Sequence, residues 1–185
     1  MIEFTLVLPF LFFLLFGVFE FSLMMFSMGS ARYAAADGAR VVSEQGTVVQ
    51  ACSAVAGCSR LKPALYAGKD CDADCQALSA VNLGPLGTTS IATVDEIEVA
   101  RLNLSGGSLT PALCPGPCSN AYMLDGTPTR TAYPAASRAV TLGTADYVAV
   151  TIRFHYDWKT GIFKGFRVPA LAATYDIRLE PQRFP

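Results

Sequence analysis

From Phe4 to Met28 every residue is apolar except three hydroxyls and a single carboxylate, Glu20. Twenty-five helical residues reach about 37 Å at about 1.5 Å each, long enough to cross a bilayer with some tilt. An ionised side chain inside such a span costs roughly 2.5–3.5 kcal/mol or more. Pro9 removes a backbone donor and invites a kink, and Glu3 stands at the mouth of the run. A plain anchor needs none of these features. Acids and a proline within a span face a protein partner, so the helix reads as an assembly element.

The run ends early in a chain of 185 residues, and the remaining 157 or so suffice for one domain with its own core. Residues 1–29 are expected to form the transmembrane helix, 30–57 its aqueous extension, and 58–185 an α+β domain. The segment past the anchor is close to neutral and has no basic tract, which argues against a nucleic-acid partner. Cys52, Cys58, Cys71, Cys75, Cys114 and Cys118 all follow the apolar run. Six cysteines beside a membrane-targeting segment point to disulfides in an oxidising compartment, with fifteen pairings open. Their spacings lack a clean CxxC pair and there is no second histidine, so zinc is the weaker reading.

The run exceeds the apolar core of a cleavable signal peptide, and no basic residue precedes it while Arg32 and Arg40 follow. A charge count alone would place residues 32–40 in the cytoplasm, against the disulfide reading. A basic leader upstream of Met1 would reconcile the two, and upstream codons encoding no basic segment would refute it. Residues 30–57 are alanine-rich, and the helix is expected to continue into water and break near Gly46. Ala31, Ala35, Gly38 and Ala39 fall near one face and would admit another helix closely. The alternative is a generic alanine-rich connector.

Residues 58–90 read as loop, with the DADC acids as solvated charge and one short helix from Gln76 to Leu83 ended by Gly84-Pro85. Ile91–Leu104 reads as a strand whose phase slips near Ala100, the mark of a bulge. Residues 105–140 are irregular, with a short strand at Ala121–Leu124 before the turn Asp125-Gly126. The CPGPC loop reads equally as rigid decoration or as a contact loop. Asp146–Trp158 alternates cleanly, with Val148, Val150, Ile152, Phe154, Tyr156 and Trp158 on one face. A last strand at Leu171–Leu179 pairs with it antiparallel. The expected fold is α+β: a long hydrophobic helix running into a small, disulfide-stabilised domain whose antiparallel sheet of about three to four strands the helix covers.

No catalytic constellation is present. His155, the only histidine, lies on the polar face of its strand, and GxSxG, GxxxxGK[ST], HExxH and Rossmann patterns are absent from the sequence. No cofactor or metal site is expected, and the chain does not read as an enzyme. The competing reading is a membrane-tethered periplasmic binding protein or enzyme with an uncleaved signal anchor.

Glu3-Phe4, Leu6, Leu8-Pro9, Gly17 and Glu20-Phe21, followed by Tyr33-Ala-Ala-Ala-Asp-Gly-Ala-Arg40, resemble the opening of TadE-like minor pilins of tight-adherence (Tad) pili. Val148–Tyr156 and Ala172–Glu180 resemble that family's closing strands, whereas the cysteine-containing middle has no counterpart. The resemblance implies a non-enzymatic minor pilin, or pseudopilin, of a type IVc pilus with Glu3, Phe4, Pro9, Gly17 and Glu20 as assembly residues. It would sit in the bacterial inner membrane as a single-pass protein with a periplasmic domain, and later at the cell surface. Implied partners are major and minor Tad pilins, the prepilin peptidase, the inner-membrane assembly platform, the lipid bilayer and a host or abiotic surface. Glu3 would neutralise the α-amino group of a neighbouring subunit, a pairing that an apolar bundle screens poorly. In type IV pilins this acid usually sits fifth after the cut, and here it is third. Either two mature residues precede Met1 or Met1 is not the processed terminus. N-terminal mass spectrometry of the membrane-extracted protein is expected to find a processed terminus; an uncut leader would refute the pilin-type processing.

Overall fold

The computed structural model describes residues 2–114, 116–141, 143–160, 163, 165 and 168–180. Helix α1 (Ile2–Gln45) is one uninterrupted helix of 44 residues that carries Pro9 inside it. It ends where Gly46 turns with φ of 51°, so the helical part of 30–57 stops at Gln45. A short ladder of β1 (Gln50–Ala51) and β2 (Asp70–Cys71) then brackets the single-turn α2 (Pro63–Tyr66). Helix α3 (Ala73–Leu83) starts three residues before the expected Gln76, because the Asp72 carboxylate accepts the Cys75 N–H at 2.9 Å and caps it. Gly84 stops it, and the single turn α4 (Pro85–Thr88) follows.

The remaining strands are β3 (Ala92–Ser105), β4 (Ser108–Pro111), β5 (Leu113–Cys114), β6 (Gly116–Pro117), β7 (Ser119–Tyr122), β8 (Pro128–Thr131), β9 (Tyr147–Tyr156) and β10 (Leu171–Arg178). Six of them make one antiparallel sheet in the order β10-β9-β3-β7-β8, with β4 also hydrogen-bonded to β3. The sheet exceeds the expected three to four strands because the proline-rich stretch supplies three short ones. Strand β7 begins at Ser119 and ends at Tyr122, short of Leu124. The expected alternation holds in β9: Val148, Val150, Ile152 and Phe154 are fully buried and Tyr156 nearly so.

The bulge in β3 lies at Asp95, between Val94 and Glu96, rather than near Ala100. The apparent slip at Leu102 has a different cause. Ile97 and Val99 face the helices, while Leu102 lies on the outer face. There it is buried beside Leu109, Pro111, Ala112, Pro117 and Cys118 of the adjoining chain and Ala149 of β9. A second apolar cluster, not a shift of backbone register, puts leucine at an outward position.

The core lies between the sheet and two helices. Ala31, Ala34, Ala35, Ala39 and Val42 of α1 pack with Ala77, Leu78 and Val81 of α3 and the buried face of β9. Gly38 is the closest point: a Cβ there would lie 3.3 Å from a Val81 methyl and 3.6 Å from a Val150 methyl. The small residues therefore admit the chain's own sheet and helix. Ser43 Oγ donates to the Arg178 carbonyl at 2.9 Å, and the Glu180 N–H to the Ser43 carbonyl at 3.2 Å. These bonds tie the end of α1 to the edge strand.

Three cysteine pairs stand at disulfide distance: Cys52–Cys58, Cys71–Cys75 and Cys114–Cys118. The sulfurs of Cys58, Cys71 and Cys75 cluster because the first two bridges lie side by side, with Cys58 Sγ 3.9 Å from Cys75 Sγ. Each closes a short loop and contributes about 2 kcal/mol on a chain-entropy account.

The DADC acids are not solvated loop charge. Asp72 caps α3, and Asp74 is fully buried. Asp74 pairs with the equally buried Arg138 at 2.5 Å and accepts from Asn120 Nδ2 at 2.7 Å and the Tyr122 hydroxyl at 3.0 Å. Arg138 stacks 4.9 Å over the Tyr133 ring. The Tyr133 hydroxyl in turn donates to Asp146, which also pairs with Arg101. This network joins α3, β7 and the lead-in to β9. Removing one partner of a buried pair strands the other charge at about 3–5 kcal/mol. Asp74→Ala is accordingly expected to lower the melting temperature of the detergent-solubilised chain by about 10 °C. Calorimetry or thermal circular dichroism would check it, and a drop no larger than that of the exposed Asp157→Ala would refute it.

Candidate assembly site on the N-terminal helix

At about 3.6 residues per turn, residues spaced alternately by three and four share one face of a helix. On α1 the stripe Phe13, Gly17, Glu20, Met24, Ser27, Ala31, Ala34, Gly38 and Val42 follows this spacing, and the chain's own domain covers it from Gly17 onward, while Phe13 stays 54% exposed. Below Ser27 the cover is the connection between β9 and β10. Phe163 packs against Phe13 with centroids 5.6 Å apart and ring planes tilted by 50°, and its ring lies 3.8 Å from where a Gly17 Cβ would be. Trp158 lies 5.3 Å from Phe163 and 5.5 Å from the Tyr156 ring.

Glu20 lies at the centre of this contact and is 1% exposed. The Tyr156 hydroxyl donates to its carboxylate at 2.5 Å, and the Thr160 backbone N–H donates to the other oxygen. Two donors thus reach a carboxylate whose neighbours along the helix are apolar. Burial, with the facing carboxylate adding to it, pushes the Tyr156 phenol well above the ordinary tyrosine range, so it stays a donor.

The opposite stripe runs through Phe4, Leu11, Leu15, Val18, Ser22, Met25 and Tyr33. Its large apolar members are more than half exposed, with Phe4 at 71%. By length and composition this helix can cross a membrane. The five expected assembly residues are therefore divided. Phe4 is exposed on the free stripe, and Pro9 is exposed one turn before Phe13. Gly17 and Glu20 lie in the stripe that the domain covers. The side chain of Glu3 falls outside the described residues.

Residues 1–40 match the family model described as TadE-like protein. Over these residues the anchor is similar to that family. The match takes in the whole apolar run and most of the alanine-rich turns that dock on the sheet, and leaves the cysteine-containing domain unmatched. No curated protein and no solved structure matches the chain.

Sequence reasoning missed Tyr156 and Thr160, which lie 136 and 140 residues from Glu20. One signal was legible. Tyr156 falls on the apolar face of β9, where a buried tyrosine needs a partner for its hydroxyl. Losing one donor to a buried carboxylate costs about 1–3 kcal/mol. Tyr156→Phe is therefore expected to lower the melting temperature by a few degrees and to speed amide exchange at Thr160. Tyr175→Phe, at an exposed position on β10, should do neither; equal behaviour of the two variants would refute the contact.

Proposed function

We propose that this chain is a non-enzymatic minor pilin of a Tad-type pilus. It is inserted in the inner membrane by α1 with its domain in the periplasm, and is then incorporated through α1 to initiate, cap or decorate a fibre used in surface adhesion. The observation that carries the reading is the division of α1 into two faces. From Gly17 onward one face is occupied by the chain's own sheet, α3 and the β9–β10 connection. The other is apolar, exposed and continuous from Phe4 to Met25, and it belongs to the segment that matches the TadE-like model. A bare anchor would need neither a carboxylate nor a differentiated face, whereas a subunit that must hold its domain and also pack among other helices needs both.

A domain of about 157 residues on every subunit would make a thick fibre, which favours a minor component over a repeating shaft subunit. Partners in this reading are the other pilins, met by the free stripe, together with the prepilin peptidase and the inner-membrane assembly platform. Glu3 would meet a neighbour's α-amino group, and the displayed domain a host or abiotic surface.

A photo-crosslinking residue placed in turn at Leu11, Leu15 and Val18 is expected to give adducts with other pilins in piliated cells. Placed at Met24, it should give mainly adducts within the chain. In the same cells Glu3→Ala should abolish pili while leaving the protein in the membrane. Normal pili in Glu3→Ala cells, together with free-stripe adducts to lipid alone, would sink the proposal.

A further inference from the structure

Trp158, Thr160 and Phe163, in the connection from β9 to β10, lie alongside the anchor at a depth where a globular domain would not be expected. From Phe13 to Met24 their contacts span about 16 Å of helix axis. These residues belong to the apolar run, so a bilayer that surrounds the run also surrounds part of the hairpin. Residues 157–160 carry an acid, the only tryptophan, a lysine and a threonine. Tryptophan and lysine are the side chains that settle where acyl chains meet headgroups, the ring lying flat in the boundary and the ammonium reaching outward. Lys159 is exposed and donates to the Ser90 carbonyl on the domain side, away from the anchor.

Between hairpin and helix lies an open crevice of about 390 Å³. Phe13, Gly17, Phe21 and Met24 form one wall, and Trp158 and Phe163 the other. Among the described residues its only charged lining group, Glu20, is already engaged by Tyr156 and Thr160. The rest of the described lining is apolar, and it opens at the depth of the lipid tails. Irregular backbone is tolerated within the hydrocarbon region only where it is buried in protein or lines a water-filled cavity. Here the Thr160 backbone N–H turns inward to Glu20, and the rings of Trp158 and Phe163 line the crevice.

We propose that the β9–β10 hairpin is a bilayer foot. It rests at the headgroup–acyl boundary of the leaflet on the domain's side, and a lipid acyl chain fills the crevice between Trp158, Phe163 and α1. The occupant is lipid rather than a second protein helix because the crevice is continuous with the lipid-facing anchor and carries the aromatic and cationic chemistry of the interface. The foot rests on the membrane-anchored reading of α1 and adds a second, shallow attachment. With two attachments the domain is held against the membrane at a fixed height and does not swing on a single helix.

Trp158 is the chain's only tryptophan, so its intrinsic fluorescence reports the foot without a label. The full chain is reconstituted in vesicles of phosphatidylcholine and phosphatidylglycerol whose acyl chains are brominated either near the carbonyl or near the methyl end. The expected result is a blue-shifted emission, quenched more strongly by bromine near the carbonyl than near the methyl end and poorly by aqueous iodide. A second chain, Phe12→Trp in a Trp158→Phe background, reports the anchor by itself. If iodide quenches Trp158 and brominated lipid does not, while the tryptophan at position 12 is quenched by bromine, the foot is overturned and the anchor stands. If neither tryptophan responds to brominated lipid, the membrane reading of α1 fails with it.

Discussion

Everything in this chain depends on how closely α1 can approach its own sheet. Gly38 and the alanines around it let the helix backbone settle against β9 and α3, and a single methyl at Gly38 would already press on Val81. That contact makes the last turns of an apolar anchor into the central element of a folded domain. The sheet alone would expose Val148, Val150, Ile152 and Phe154 along β9, and α3 is too short to cover them. Anchor and core are one helix, so the domain cannot unfold locally without loosening its hold on α1.

The same rigidity explains how a carboxylate survives in the apolar run. Glu20 lies on the docked stripe, two turns beyond Phe13, where the β9–β10 connection passes. Buried carboxylates need donors. Here they come from a strand-end tyrosine and a backbone amide that the fold brings to the helix from the far end of the sequence. Glu20 thus links the part of the helix that is lipid-like in composition to the part that is protein-like. On the free stripe of the same turns nothing would supply a donor, and only the hydroxyl of Ser22 interrupts the apolar side chains there.

Local periodicity made much of this legible. The apolar run, the break at Gly46, the alternation of β9 and its pairing with β10 follow from spacing and turn residues, and the structure has them where spacing puts them. Long-range polar pairing was not legible. Asp74 looks like loop charge because its partners, Asn120, Tyr122 and Arg138, come from a proline-rich segment without a periodic signal. Leu102 mimicked a bulge because apolar residues of the adjoining proline-rich chain lie beside it on the outer face of the sheet, and no pattern within β3 could announce them. Gly17 and Glu20 read as contacts for another subunit because sequence gives the face of a helix but not the identity of what covers it.

That last ambiguity has a structural consequence. Once the domain claims one stripe of α1, the free stripe points away from sheet and hairpin together. A helix packed among others by its free stripe would carry its domain on the outward side. The angular position of each domain around a fibre would then be fixed by α1 itself, not by a hinge. The bend expected from Pro9 would fall in the first turns, below Phe13, the lowest contact made by the described residues of the β9–β10 connection, so the helix can adjust there without disturbing that contact. Those first turns contain both Glu3 and Phe4.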